Sequence, residues 1–149
     1  MPAKQYPTIG VEETLTLNND IADVDALNRF QKSVYERIGL DKPTMRQMQL
    51  AVEEAVVNVM EYAYPKGTKG EITVEMTYDS KHLNVRISDQ GMAFDPTATE
   101  SADTSLSAED REIGGLGILL VRELVDAVDY ERRQGRNMLT LTKTIEQDN

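Results

Sequence analysis

The chain contains no cysteine, which excludes a disulfide framework and a thiolate-ligated metal site. Its single histidine, His82, cannot by itself build a histidine-based zinc centre, which takes several imidazole or thiolate ligands. No apolar run reaches the roughly 20 residues needed to cross a bilayer. Met1-Pro2-Ala3-Lys4-Gln5 is not followed by the apolar core of a signal peptide. No membrane role is expected, and a soluble cytoplasmic protein is. Basic residues are scarce as well, 16 Lys and Arg against 26 Asp and Glu, for a net charge of −10. They form no cluster able to neutralise a row of phosphates, which argues against a nucleic-acid partner. The acid excess serves solubility, or attraction to a basic protein. At 149 residues the chain suits one domain, residues 1–149, with a core that folds without staples.

Apolar periodicity supplies the layout. Val11 to Leu17 alternates and predicts a strand. Asn18-Asn19-Asp20 offers caps to a first helix in which Ile21, Val24, Leu27 and Phe30 recur at helical spacing, ending near Gly39. Asp41-Lys42-Pro43 opens a second helix, Lys42 to about Tyr62, with Met45, Met48, Val52, Val56, Val59 and Ala63 as its core stripe. Glu71–Tyr78 and Leu83–Asp89 read as a hairpin whose turn holds His82 as an exposed residue. Gly91 to Ile113 has little periodicity and is long enough to be a functional loop. Gly114-Gly115-Leu116-Gly117 leads into a helix over Ile118–Val125, and Val128–Arg132 with Met138–Ile145 closes the chain as a hairpin around Gln134-Gly135.

Three short patterns carry chemistry. On the second helix Glu54 and Asn58 stand four residues apart, so a carboxylate and a carboxamide share one face. That pair suits activation of a hydroxyl beside a metal-bound phosphate. The face lies away from the core stripe and is either solvated surface or, given Leu50, Ala51 and Val57 around it, a pocket wall. Gly114, Gly115 and Gly117 at a loop-to-helix junction would let backbone N–H groups approach an anion, or simply make a tight turn. Neither a P-loop nor a dinucleotide fingerprint is present. Asp89-Gln90-Gly91 leaves a strand with a carboxylate able to accept from an exocyclic amine and a glycine that admits a flat base, although Asp89 serves equally as a cap.

In this order the three patterns resemble the GHKL (Bergerat-fold) ATPase superfamily from about residue 11 to 145. Glu54 and Asn58 match its N-box, Asp89 and Gly91 its first glycine box, and Gly114, Gly115 and Gly117 its second. With Glu61-Tyr62-Ala63-Tyr64-Pro65 after the N-box, the chain is most similar to the stand-alone anti-sigma factor serine/threonine kinases of bacteria. The resemblance implies an α+β two-layer sandwich, a mixed and mostly antiparallel sheet with helices on one face. It implies ATP and Mg²⁺ as cofactors, with Asn58 holding Mg²⁺, Glu54 as general base, Asp89 and Gly91 at the adenine, and Gly114, Gly115 and Gly117 at the phosphates. Residues from about 97 to 113 would form a lid. The implied partners are a STAS-domain anti-anti-sigma factor that receives phosphate, a competing sigma factor, and a second copy in a homodimer joined through the first strand and helix. The stand-alone members lack the dimerisation helices of sensor kinases and the transducer domain of topoisomerases.

Two positions depart from the pattern. Ala93 stands where many relatives have a second glycine, and Ile113 stands where a basic residue often precedes the second glycine box. Arg111 is then the nearest cation to a γ-phosphate. The leading expectation is a kinase, and the competing one is an ATP-gated partner-switching module with little transfer activity.

Overall fold

The computed structural model describes residues 11–98 and 115–145. Five strands, β1 (Val11–Asn18), β2 (Glu71–Tyr78), β3 (His82–Asp89), β4 (Ala127–Arg133) and β5 (Arg136–Thr144), form one sheet in the order β1-β2-β3-β5-β4. All four pairings are antiparallel. Among the described residues, three α-helices, α1 (Val24–Ile38), α2 (Lys42–Tyr62) and α3 (Gly115–Leu124), join the sheet in an α+β arrangement.

Strand alternation makes the sheet one-sided. Ile72, Val74 and Met76 of β2, Leu83, Val85 and Ile87 of β3, and Leu139 and Leu141 of β5 are buried in one core with α1, α2 and Ile118 and Val121 of α3. Their neighbours on the other face are polar: Thr16 pairs Thr73, which pairs Ser88, and Arg86 pairs Thr140. A period of two with one apolar phase dictates this, because successive side chains leave a strand on opposite sides.

The second helix has the limits that its signals set. Asp41 accepts from the Thr44 N–H at 2.8 Å, Pro43 sits in the first turn, and Met48, Val52, Val56, Val59 and Ala63 are buried. Gly39 ends α1 with φ 80°, a left-handed conformation that costs glycine nothing. A buried polar chain joins the two helices: the Tyr35 hydroxyl donates to Gln31 Oε1 at 2.6 Å, and Gln31 Nε2 donates to the Gln49 carbonyl at 3.3 Å. Burial pushes the Tyr35 phenol far above its ordinary value, so it stays a neutral donor.

Several expectations change in detail. Ile21 is 63% exposed rather than core. Residues Ile21–Asp23 form a 3-10 turn, fixed by Asp20 Oδ1 accepting from Ala22 N and Asp23 Oδ2 accepting from Asn18 N, and α1 begins only at Val24. His82 is the half-buried first residue of β3, paired with Thr144, rather than an exposed turn residue. The Asp79 carboxylate accepts from the His82 and Lys81 N–H groups, which shortens the turn. Gly115 and Gly117 lie inside the first turn of α3 rather than before it.

Truncating Leu141, fully buried in β5, should destabilise the protein by about 2–5 kcal/mol. Thr16→Ala on the open face should change stability by about 0.5 kcal/mol or less. Urea unfolding of both variants checks the one-sided core.

Candidate functional site

A narrow cleft opens between α2, the centre of the sheet and the start of α3. Its enclosed space is small, about 10 Å³, at the bottom of a hollow that opens to solvent. Asn58 and Val59 of α2, Asp89 of β3, Phe94, Ile118 of α3, and Tyr130 and Asn137 of the last hairpin are among the residues that line it. Asn58 and Asp89, 31 positions apart in the chain, therefore meet on one cavity.

Asn58 is half-buried on the cleft wall, and its carboxamide has no hydrogen-bond partner among the described residues. Glu54, one turn earlier, is also half-buried and has no ion pair among the described residues, but it does not line the cleft. The two readings of this helix face are thus divided between its residues: Asn58 is pocket wall, Glu54 is half-buried outside the lining, and Leu50 is surface at 41% exposed.

Asp89 is buried, 2% exposed. Its Oδ1 accepts from the Gly91 N–H at 2.8 Å and from Asn137 Nδ2 at 2.9 Å, and among the described residues Oδ2 has no partner. Desolvation raises the Asp89 pKa above its ordinary value, opposed by the hydrogen bonds from Asn137 and Gly91 and by the charges of Arg132 and Arg136. Gly91 packs flat against the end of α2. A Cβ there would strike the Ala63 carbonyl, and Met92 N donates to that same carbonyl at 2.7 Å. Tyr64 closes the junction, its hydroxyl accepting from Gln90 N at 3.0 Å and donating to the Glu71 carbonyl at 2.7 Å.

Asn137 is the residue that pattern reading missed. It is 4% exposed on β5. Its Nδ2 donates to Asp89 and to the Met92 carbonyl at 2.7 Å. Its Oδ1 accepts from Phe94 N at 3.3 Å, from Arg132 Nη1 at 3.0 Å and from the Tyr130 hydroxyl. Arg132 Nη1 also donates to the Gly91 carbonyl at 3.0 Å. One side chain thereby fixes the whole Asp89–Phe94 bend. The available signal was register, since Asn137, Leu139 and Leu141 alternate and a polar residue in the buried phase of a strand has to be satisfied.

Gly115 and Gly117 open α3, where the first N–H groups of a helix have no partner within it. Ile118, the next residue, lines the cleft, so this turn adjoins it. Arg111, Gly114 and Ile113, and most of the lid, lie outside the described residues. The described residues hold no cluster of three or more His, Cys, Asp or Glu able to bind a metal by themselves. That does not conflict with Mg²⁺, which commonly takes one or two protein oxygens and fills its shell with water and phosphate.

A family profile for the histidine kinase-like ATPase domain matches residues 17–143. The chain belongs to that family. It is 34% identical over 93 residues to the serine/threonine-protein kinase BtrW of Bordetella bronchiseptica, covering 62% of this chain and 66% of BtrW. It is 33% identical over 125 residues to the serine-protein kinase RsbW of Listeria monocytogenes, covering 80% of this chain and 79% of RsbW. Among solved structures, the RsbU and RsbW domains of a Mycobacterium tuberculosis protein superpose with a TM-score of 0.64 at 19% identity, over 89% of this chain and 32% of that one. The SiaB–SiaC complex of Pseudomonas aeruginosa gives a TM-score of 0.53 at 16% identity, over 88% of this chain and 89% of that one. At these identities the two structures support the fold alone. As a histidine kinase-like ATPase domain the chain binds ATP, and the carboxylate of Asp89 and the carboxamide of Asn58 in one cleft are chemically suited to it.

Asp89 also makes stability respond to acid in an unusual direction. A carboxyl whose folded pKa is raised binds its proton more tightly folded than unfolded. The fold is then most favoured below the unfolded pKa and loses that contribution as pH rises through the folded value. Asp89→Asn, which keeps an Oδ1 acceptor, should match or exceed the parent's stability at neutral pH. The parent should gain on the variant as pH falls toward its ordinary value near 3.8. Paired thermal melts from neutral to acidic pH check the sign.

Proposed function

We propose that the chain is a Mg-ATP-dependent serine/threonine protein kinase of the anti-sigma type, acting in the cytoplasm as a single domain with a lid over about residues 97–113. The observation that carries this reading is that Asn58 and Asp89, from separate elements, line one cleft with oxygens that lack partners among the described residues. The names of the relatives, serine-protein kinases, agree with it. Asp89 Oδ2 accepts from the adenine amino group, with the base against Gly91. The first turn of α3, with Gly114 and Arg111 before it, serves the phosphates. Asn58 would offer its amide oxygen to Mg²⁺, which when bound would supply charge neutralisation at the phosphates. Glu54, one turn earlier on the same helix, would take the proton of the attacking hydroxyl.

The acceptor in this reading is a serine or threonine of a STAS-domain anti-anti-sigma factor, and phosphorylation of that factor controls sigma-factor release. A homodimer would use β1 and α1, β1 being an edge strand of the sheet among the described residues. A nucleotide-gated binding module with little transfer is the second reading, favoured by the place of Glu54 outside the cleft lining.

Incubation with radiolabelled Mg-ATP and the STAS-domain protein of the same genome decides between them. Transfer should fall about 100-fold or more in Glu54→Gln, with ATP affinity within about threefold of the parent because a base contributes little to ground-state binding. Asn58→Ala should lose both. Tight Mg-ATP binding with no phosphate on any STAS-domain partner would overturn the kinase in favour of the switch.

A further inference from the structure

The apolar flanks of Glu54 do not belong to the nucleotide cleft. Successive residues of an α-helix are turned by about 100°, so from Glu54 the cleft-lining Asn58 lies about 40° to one side. Leu50 lies about 40° to the other side, with Val57 about 20° beyond it. The structure agrees with this division: Asn58 lines the cleft, whereas Leu50, Glu54 and Val57 do not. Leu50 is 41% exposed, one of only three large apolar residues so open among the described residues, and Val57 is half-buried. Ala51, the other flanking residue, is wholly buried and takes no part.

We propose that Leu50, Glu54 and Val57 form the docking strip for the phosphoacceptor protein, with Leu50 as its apolar anchor. The proposal rests on Glu54 being the base of a phosphoryl transfer. In such a transfer the attacking and leaving oxygens lie roughly in line across phosphorus. With the nucleotide on the Asn58 side of Glu54, the acceptor hydroxyl arrives from the Leu50 and Val57 side. A base acts within about 3 Å of the proton that it removes, so the acceptor's surface has to close over Glu54. A specific interface covers about 800 Å² per partner, a disc of roughly 16 Å radius, whereas Leu50 is one helical turn away, about 6 Å along the axis. The strip is therefore covered whenever transfer geometry is reached. The occupant is the hydroxyl-bearing STAS-type protein, because the footprint follows from delivering its side chain to Glu54.

The test measures docking without chemistry. In a Glu54→Gln background, affinity for the purified STAS-domain protein of the same genome is titrated with Mg-ATP present, in Leu50 parent, Leu50→Asp and Leu50→Ala forms. Leu50→Asp should weaken the complex at least about tenfold, and Leu50→Ala about threefold, as for truncation of an apolar anchor. Affinity for Mg-ATP should stay within about twofold, since Leu50 lies outside the cleft. With Glu54 intact, the loss should appear in KM for the STAS-domain protein while kcat at saturation is retained. Unchanged affinity in both variants overturns the proposal, as does a loss confined to the sigma factor or a parallel loss of Mg-ATP binding in both. Failure of the kinase reading is separate: it shows as no phosphate transferred by the protein with Leu50 and Glu54 intact.

Discussion

The buried carboxamide of Asn137 is the interaction on which the site depends. Asp89, Met92, Phe94, Tyr130 and Arg132 all bond to it. Without it the bend after β3 would have to satisfy a buried carboxylate, a carbonyl and an N–H in some other way, and each unsatisfied group costs about 1–3 kcal/mol. With it, Asp89 is held through Oδ1, and Oδ2 has no partner among the described residues. The same contact ties the cleft to the last hairpin, so the antiparallel pairing of β3 with β5 is also what assembles the site.

Helix α2 makes three kinds of contact, and its periodicity separates them. One side is buried in the core through Val52, Val56 and Val59. Asn58 and Val59 turn to the cleft. The remaining side carries Glu54 between Leu50 and Val57. Its C-terminus adds a fourth contact, where the Ala63 carbonyl accepts from Met92 N and leaves no room for a side chain at position 91. A single helix thus carries both Glu54 and the carbonyl against which Gly91 packs. Keeping Asp89 anionic in a buried place is the opposing cost, and nearby Arg132 and Arg136 reduce it.

Much of this was legible in the residues. Asp41 and Pro43 fixed the start of α2, Gly39 the end of α1, and the alternation of β2 and β3 their inward faces. The patterns at Asn58 and Asp89 pointed to two residues that line one cleft. Other features depend on contacts between distant segments. Ile21 fits a helical stripe, yet side-chain bonds to Asp20 and Asp23 hold it in a 3-10 turn. Asn137 reads as an ordinary residue beside a turn until β5 is placed next to β3. That Asn58 lines the cleft and Glu54 does not depends on where the sheet and α3 lie, which spacing within one helix cannot specify.

The most direct test is equilibrium binding of ATP to Asn137→Ala across neutral to mildly acidic pH. Affinity should fall at least about tenfold, consistent with a buried bond to a charged group worth about 1.5–3 kcal/mol. The pH at which binding fails should move upward from the parent's, because Asp89 loses a donor that holds its pKa down. ATP affinity and acid limb both equal to the parent's, in a variant that still unfolds cooperatively, would contradict the account.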